Sequence, residues 1–199
     1  MPTRLILSAA LVLLSAACGA EDAPRIAEAA PAAVVDSILP VEEALRRFRA
    51  DLPPPDSLES GYTDRDSLVA AFGRALFRAD TATLAELLMS RAEFAYLYYP
   101  ASHFSREPYE LDPALLWFQI QNGTSQGITR ALRRYGGVGY EYAGHECEAE
   151  PAARDGIRLW ERCVVSYRDA RGEHLSGRFF GSVLEHGGRY RIVSYSNPL

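Results

Sequence analysis

Lysine is absent from this chain, and all 21 of its cationic side chains are arginines. That uniformity reads as a coding-composition habit and carries no functional information. Chemistry-bearing motifs are also scarce. No G-x-S-x-G turn, no phosphate-cradling glycine loop and no Ser/His/Asp arrangement stands out, which weighs against hydrolase and nucleotide chemistry. His145-x-Cys147 has no second pair at metal spacing, and His103, His174 and His186 fall in or beside turns or loops. A closed four-ligand metal site is therefore not assembled, and no cofactor is expected. The composition is neither collagen-like, coiled-coil nor low-complexity. With 48% apolar and 24% charged residues among 199, it is that of a globular protein of one or two domains.

No apolar run is long enough to cross a bilayer, but residues 1–17 are arranged as an export signal. Arg4 precedes the apolar run Leu5–Leu14, and Ser15-Ala16-Ala17 supplies the small residues of a cleavage site. Cys18 comes directly after them. The string L-L-S-A-A-C resembles the lipobox of bacterial lipoproteins, with Ser15 where Leu is commonest. The resemblance implies removal of the leader, attachment of acyl chains such as palmitate at Cys18, and a lipid-anchored protein of the cell envelope facing the periplasm. Gly19 after the cysteine points to the outer membrane rather than the inner. The alternative is simple cleavage leaving a free thiol. Arg4 leaves with the leader, so 20 basic residues face 26 acidic ones, a net charge of −6. Nucleic acid is a poor partner for such a chain, because phosphate neutralisation dominates that kind of binding.

Residues 18–60 read as a tether. Positions 19–35 are rich in Ala, Pro, Glu and Asp without apolar periodicity. A short helix is expected at 40–50, with Pro40 at its first position and Val41, Leu45 and Phe48 on one face. It either docks on its own domain or presents that face to a partner. Pro53-Pro54-Pro55 forms a stiff connector.

Residues 61–199 carry the fold. Thr63 and Asp66 have capping-box spacing, with Asp64 as a second candidate cap, and Leu68, Phe72, Ala75, Leu76 and Ala79 then form an apolar stripe. Asp80 caps a second helix with Leu84, Leu87 and Leu88 on one face. Ser90 and Glu93 open a third, which carries Phe94, Leu97 and Tyr98 and which Pro100 should stop. These helices are too short to stand alone and require tertiary burial. Ala101 to Leu111 is expected to be a loop. Asp112-Pro113 starts a further helix, which Asn122-Gly123 and Gly127 should break into two pieces before Gly136-Gly137 ends it. Arg130, Arg133 and Arg134 complement the helix dipole there, or form a basic patch.

From Val138 the period changes to two, and 138–148, 157–168, 173–185 and 189–196 read as four strands. A turn at Gly187-Gly188 pairs Val183 with Ile192. A loop at Ala170-Arg171-Gly172 pairs Tyr167 with Leu175, Cys163 with Phe179 and Leu159 with Val183, giving one continuous apolar face. A first hairpin through Arg154-Asp155-Gly156 sets Cys147 opposite Cys163, where a disulfide is geometrically reasonable. Counting back from Cys147 puts Tyr140 and Tyr142 on the wrong face, so a bulge is expected near Ala143-Gly144.

This order of elements, together with the string LVAAFGRALFRADTATLAELL over residues 68–88, resembles the nuclear transport factor 2-like (cystatin-like) α+β family. The resemblance implies N-terminal helices packed in a curved four-stranded antiparallel meander, a cone whose open end makes a pocket. That fold hosts isomerases, dehydratases, hydrolases and non-catalytic binding modules, so it leaves activity open. Ketosteroid isomerases of the fold use an Asp base with a Tyr and a second acid, and that set is not found here. The nearest candidates for an acid or base are Glu161, between Leu159 and Cys163, and the tyrosines at 96, 98, 99, 140 and 142; the alternative role of Glu161 is a rim acid paired to an arginine across the sheet. Tyr96, Tyr99, Trp117 and Tyr142 are candidates for a pocket or interface, or for core packing. A non-catalytic envelope module binding a small apolar ligand or a protein is the leading expectation. An isomerase-like or hydrolase-like enzyme using the cone pocket is the alternative.

Overall fold

A computed structural model describes residues 39–58 and 60–197. The leader, Cys18 and the first part of the tether lie outside the described residues. Helix α1 (Val41–Phe48) is followed by α2 (Arg65–Arg78), α3 (Thr81–Glu86) and α4 (Arg91–Glu93). A π-helical turn (Phe94–Tyr98) and α5 (Tyr99–Ala101) extend α4, and the long α6 (Pro113–Tyr135) comes after a 3-10 turn at His103–Ser105. The remainder forms seven strands, β1 (Glu141–Glu146), β2 (Ala152–Arg154), β3 (Ile157–Trp160), β4 (Val164–Arg168), β5 (His174–Gly177), β6 (Val183–His186) and β7 (Arg189–Ile192). They make two antiparallel sheets, β1-β4-β5 and β2-β3-β6-β7.

Helix α2 is the element everything else encloses. Asp64, rather than the Thr63/Asp66 box, caps it by accepting the Ser67 amide at 2.7 Å. Leu68, Phe72 and Leu76 are fully buried as the stripe required, and Val69, Ala71, Ala75 and Phe77 are buried as well. One side meets the sheets and the C-terminal run: the Phe72 ring lies 5.1 Å from Phe180 and 5.4 Å from Tyr195, and Phe77 lies 5.3 Å from Tyr167. Each large side chain removed from water in this way contributes about 1.5–3 kcal/mol.

The expected four long strands of a single sheet are instead seven short ones. Arg162 has φ 48, and residues 161–164 face 178–182, so one run carries an extra residue and the ladder breaks there. A similar mismatch sets 147–151 against 160–163. Each of the runs 141–154, 157–168 and 174–186 thus gives one strand to each sheet while keeping the neighbour order of a meander. The pairs Tyr167–Leu175 and Val183–Ile192 form as expected, but Leu159 pairs with Leu184, displaced by the extra residue. The bulge falls between Tyr142 and Gly144, and Cys147 and Cys163 are joined in a disulfide.

Sheet β2-β3-β6-β7 is covered on both faces. Val183 and Ile192 join the α2 core, whereas Ile157, Leu184 and Val193 join a second core built on Phe48, Leu58, Met89, Phe94 and Tyr99. The chain's own helices therefore occupy the outer face of this sheet. Helix α1 is part of this second core, with Phe48 edge-on to Phe94 at 5.6 Å and Arg49 donating to the Ala95 carbonyl at 2.8 Å. It docks on its own domain.

Helix α6 is continuous through Asn122, Gly123 and Gly127, against the expected break. These glycines admit the C-terminal run rather than interrupting the helix. A Cβ on Gly127 would overlap the carbonyl oxygen of Tyr195, whereas one on Gly123 would stand 3.3 Å from the Ser196 side chain. Arg130 donates to the Asn197 carbonyl at 3.1 Å, fixing the same run.

Gly127→Ala should therefore destabilise the protein by about 1–3 kcal/mol in urea unfolding, although alanine is favoured by about 1 kcal/mol inside a helix. Gly123→Ala is the tolerated control. An equally mild Gly127→Ala would show that α6 and the C-terminal run do not meet in this way. For the disulfide, whose cysteines are 16 residues apart, the double substitution of Cys147 and Cys163 by Ala should cost about 3 kcal/mol. Reduction of the wild type should lower the urea midpoint to a similar extent.

Candidate functional site

The second core runs out at one end of β3, and a cleft of about 290 Å³ opens there. Residues 157, 159 and 161 share a face by strand alternation, so Ile157 and Leu159 form its floor and Glu161 ends it. The turn at Arg162 sends Cys163 to the other core. Leu159, Glu161 and Cys163 therefore do not share the single face expected of them. Ala152, Ala153 and Arg154 of the β2-β3 hairpin make one wall, Ser182 adds a hydroxyl, and Tyr98, Ala101, Ser102 and His103 make the other wall.

That second wall depends on the π turn. The Ser90/Glu93 capping box forms as expected, with the Ser90 amide donating to Glu93 Oε2 at 2.6 Å. The helix then widens for one turn over Phe94–Tyr98 and continues through Pro100, which does not stop it. Pro100 sits in the first turn of the new segment, where its missing N–H is no loss. A π turn rotates the residues C-terminal to it relative to a regular helix and is common at functional sites. Ser102 caps the next turn by accepting the Phe104 amide at 3.2 Å, and the Ser105 hydroxyl donates back to the Ser102 carbonyl at 2.9 Å. The His103 ring rests 3.9 Å from that of Phe104, and an Arg106–Asp155 ion pair ties the two walls together.

Electrostatically the cleft is unbalanced. Burial raises the pKa of the Tyr98 phenol, the negative charge of Glu161 adds to the shift, and a hydrogen bond with Ser102 opposes it. Arg162 pairs with Glu148 and Arg158 with Glu185. Neither the Glu161 carboxylate nor the Arg154 guanidinium has a hydrogen bond or ion pair among the described residues. The cross-sheet acid–arginine pair that was the alternative role for Glu161 is made by Glu185 with Arg158, at 2.7 Å.

The four pocket candidates do not converge. The hydroxyl of Tyr96 donates to the Leu52 carbonyl at 3.1 Å while Arg49 covers its ring at 4.4 Å. Tyr99 is fully buried, donates to the Leu111 carbonyl at 2.6 Å, and is pushed up to about 12 chiefly by burial. Trp117 packs 5.1 Å from Phe94. Tyr142 is distant from these in the fold, on β1 against Gly73 of α2. What sequence reasoning missed is Ser102, His103, Arg154 and Ser182. No motif marks them, because a π turn and a hairpin bring them together.

Tyr142 belongs to a chain of polar contacts. Its hydroxyl is 2.9 Å from His145 Nδ1, and His145 Nε2 is 3.4 Å from Asp66 Oδ1 at the start of α2. Glu93 and Arg191 form a further buried ion pair at 3.6 Å. Among the described residues no three His, Cys, Asp or Glu side chains gather as a metal site, and no helix is long and apolar enough to cross a membrane. No known protein family matches the sequence, and comparison with curated proteins and with solved structures returns no match.

Burial lowers the pKa of His145, with Asp66 opposing the shift and Arg65 adding to it. The folded value then lies below the unfolded one, near 6.5, so the unfolded chain binds the proton more readily. The stability from neutral His145 is complete above that pH and is lost as the pH falls below it. Urea midpoints should decline from pH 7 to 5.5, and His145→Gln should flatten part of that decline. An unaltered decline in the variant would assign it to other groups.

Proposed function

We propose that this chain is a lipid-anchored, non-catalytic binding module of the bacterial cell envelope, and that it receives a small ligand in the Glu161 cleft. The anchor rests on the leader and the lipobox-like cysteine at position 18, which put the domain on the periplasmic face of a membrane, the outer membrane in preference to the inner. The nuclear transport factor 2-like reading of the fold is part of this proposal. Its support is a buried α2 lying across a meander whose strands bend midway.

The observation that carries the binding reading is the position of the unpaired polar groups. The space between α2 and the sheets, where that fold would open its pocket, is filled by Phe72, Phe179, Phe180 and Tyr195. Glu161 and Arg154, unpaired among the described residues, line a separate cleft on the opposite face together with Tyr98, Ser102 and Ser182. Few polar groups over an apolar floor is the usual make-up of a small-molecule site, and the volume sits at the lower end of the usual range. The ligand is therefore more polar than the sequence led one to expect.

One feature favours the enzymatic alternative. Glu161 acts electrostatically on a desolvated Tyr98 in the same cleft, as an acid–base pair would require.

Intact-mass and native mass spectrometry of the full chain extracted from its own membranes tests both parts. The expected protein begins at an acylated Cys18 and carries a small molecule that Ala152→Trp, on the cleft face opposite Leu159, displaces. An unacylated chain removes the anchor, and a bound species indifferent to Ala152→Trp removes the site. A ligand converted by the wild type but returned unchanged by Glu161→Gln would establish the enzyme instead.

A further inference from the structure

The cleft's charges specify the kind of ligand. Around it, Arg106 is paired to Asp155, Arg162 to Glu148 and Arg158 to Glu185, so these neighbours are neutralised. Glu161 and Arg154 remain, one of each sign, on walls of the same cavity. We propose that the cleft binds a small zwitterion of dipeptide size, its ammonium toward Glu161 and its carboxylate toward Arg154. This rests on the binding-module reading above.

Three features set the size and class. Arg154 is paired with Ile157 across the hairpin, and Glu161 stands four residues beyond Ile157. At about 3.3 Å per residue the two charged residues are separated by at most about 13 Å along the strand, before their side chains reach inward. A dipeptide, whose charged ends stand about two residue lengths of 3.5 Å apart, spans the gap left once the Glu161 and Arg154 side chains reach inward. The volume of about 290 Å³ is too small for a long peptide.

The floor and hydroxyls fit the same class. Ala152 leaves room above Ile157 and Leu159 for a small apolar side chain, while Ser182 brings a hydroxyl to the lining. A ligand of one charge would be attracted by one end and repelled by the other. A zwitterion aligned with the field gains at both ends.

The test is titration of the full chain in detergent with L-alanyl-L-alanine, read by calorimetry or ligand-observed NMR. The expected result is binding at submillimolar to millimolar concentration. The N-acetylated and C-amidated forms should each bind about three- to fivefold more weakly, the scale of a solvent-screened charge pair. Glu161→Gln should abolish the penalty of acetylation alone, and Arg154→Gln that of amidation alone. Both are exposed positions, so unchanged thermal unfolding is the folding control.

Equal binding of free and capped forms, the two substitutions acting on the wrong termini, or no binding at 10 mM, roughly one hundredfold above a 0.1 mM site, would each overturn the inference. If a neutral or singly charged small molecule binds and Ala152→Trp excludes it while the dipeptide does not bind, the binding module stands and the zwitterion falls. If neither the dipeptide nor any molecule co-purified from membranes depends on Ala152, both fall.

Discussion

The structure depends on enclosing one helix on all sides. Leu68, Val69, Phe72 and Leu76 of α2 are fully buried, and no single neighbouring element could achieve that. The sheets cover one flank through Val165, Tyr167 and Val183, joined by Phe179 from the β5–β6 connection, and α3 and α6 cover the other with Leu84 and Ala131. The helix is short for independent stability, so its formation and the closing of the sheets around it are one event. Gly127 is the tightest point of that closure, because α6 approaches the C-terminal run to backbone contact there.

A consequence of the enclosure is a sheet buried on both faces. Strand β6 has Val183 in one core and Leu184 in the other, and Glu185 is buried too, with its charge met by Arg158. Strands of this kind lose the apolar–polar alternation of a one-sided sheet. The segment from Arg91 to Ala101 fills the outer face, and where it ends the second core gives way to polar groups. The cleft is that edge. The irregularities that built the architecture, the π turn at Phe94–Tyr98 and the left-handed Arg162, also turn Tyr98 and Glu161 toward the same space.

Much of the local structure was legible because it rests on short-range chemistry. Asp64, Asp80, Ser90 and Asp112 cap their helices with the side-chain hydrogen bonds their residue types imply. The pairing of Val183 with Ile192 came from Gly187-Gly188, and the bulge beside Gly144 came from requiring Cys147 to face Cys163. Misreadings arose where a residue's usual local preference was overridden by packing. Pro100 was accommodated by a widened turn, and Gly123 and Gly127 stayed helical because close contact with residues 195–197 gives their missing side chains a purpose. The candidate site was legible at Glu161 and Tyr98, and the other lining residues carry no periodic or motif signal.

By itself, the sequence determined the helix starts, the change from helical to strand periodicity near residue 138, the hairpin registers and the disulfide. All of these are governed by interactions among residues close in the chain or by a count of two. Only the tertiary structure decided that the strands break at Arg162, that one sheet is wrapped on both faces, and that Arg154, Glu161 and Tyr98 line one cleft. Those outcomes depend on which surfaces remain to be buried once α2 is enclosed, a balance among distant segments that no local pattern records.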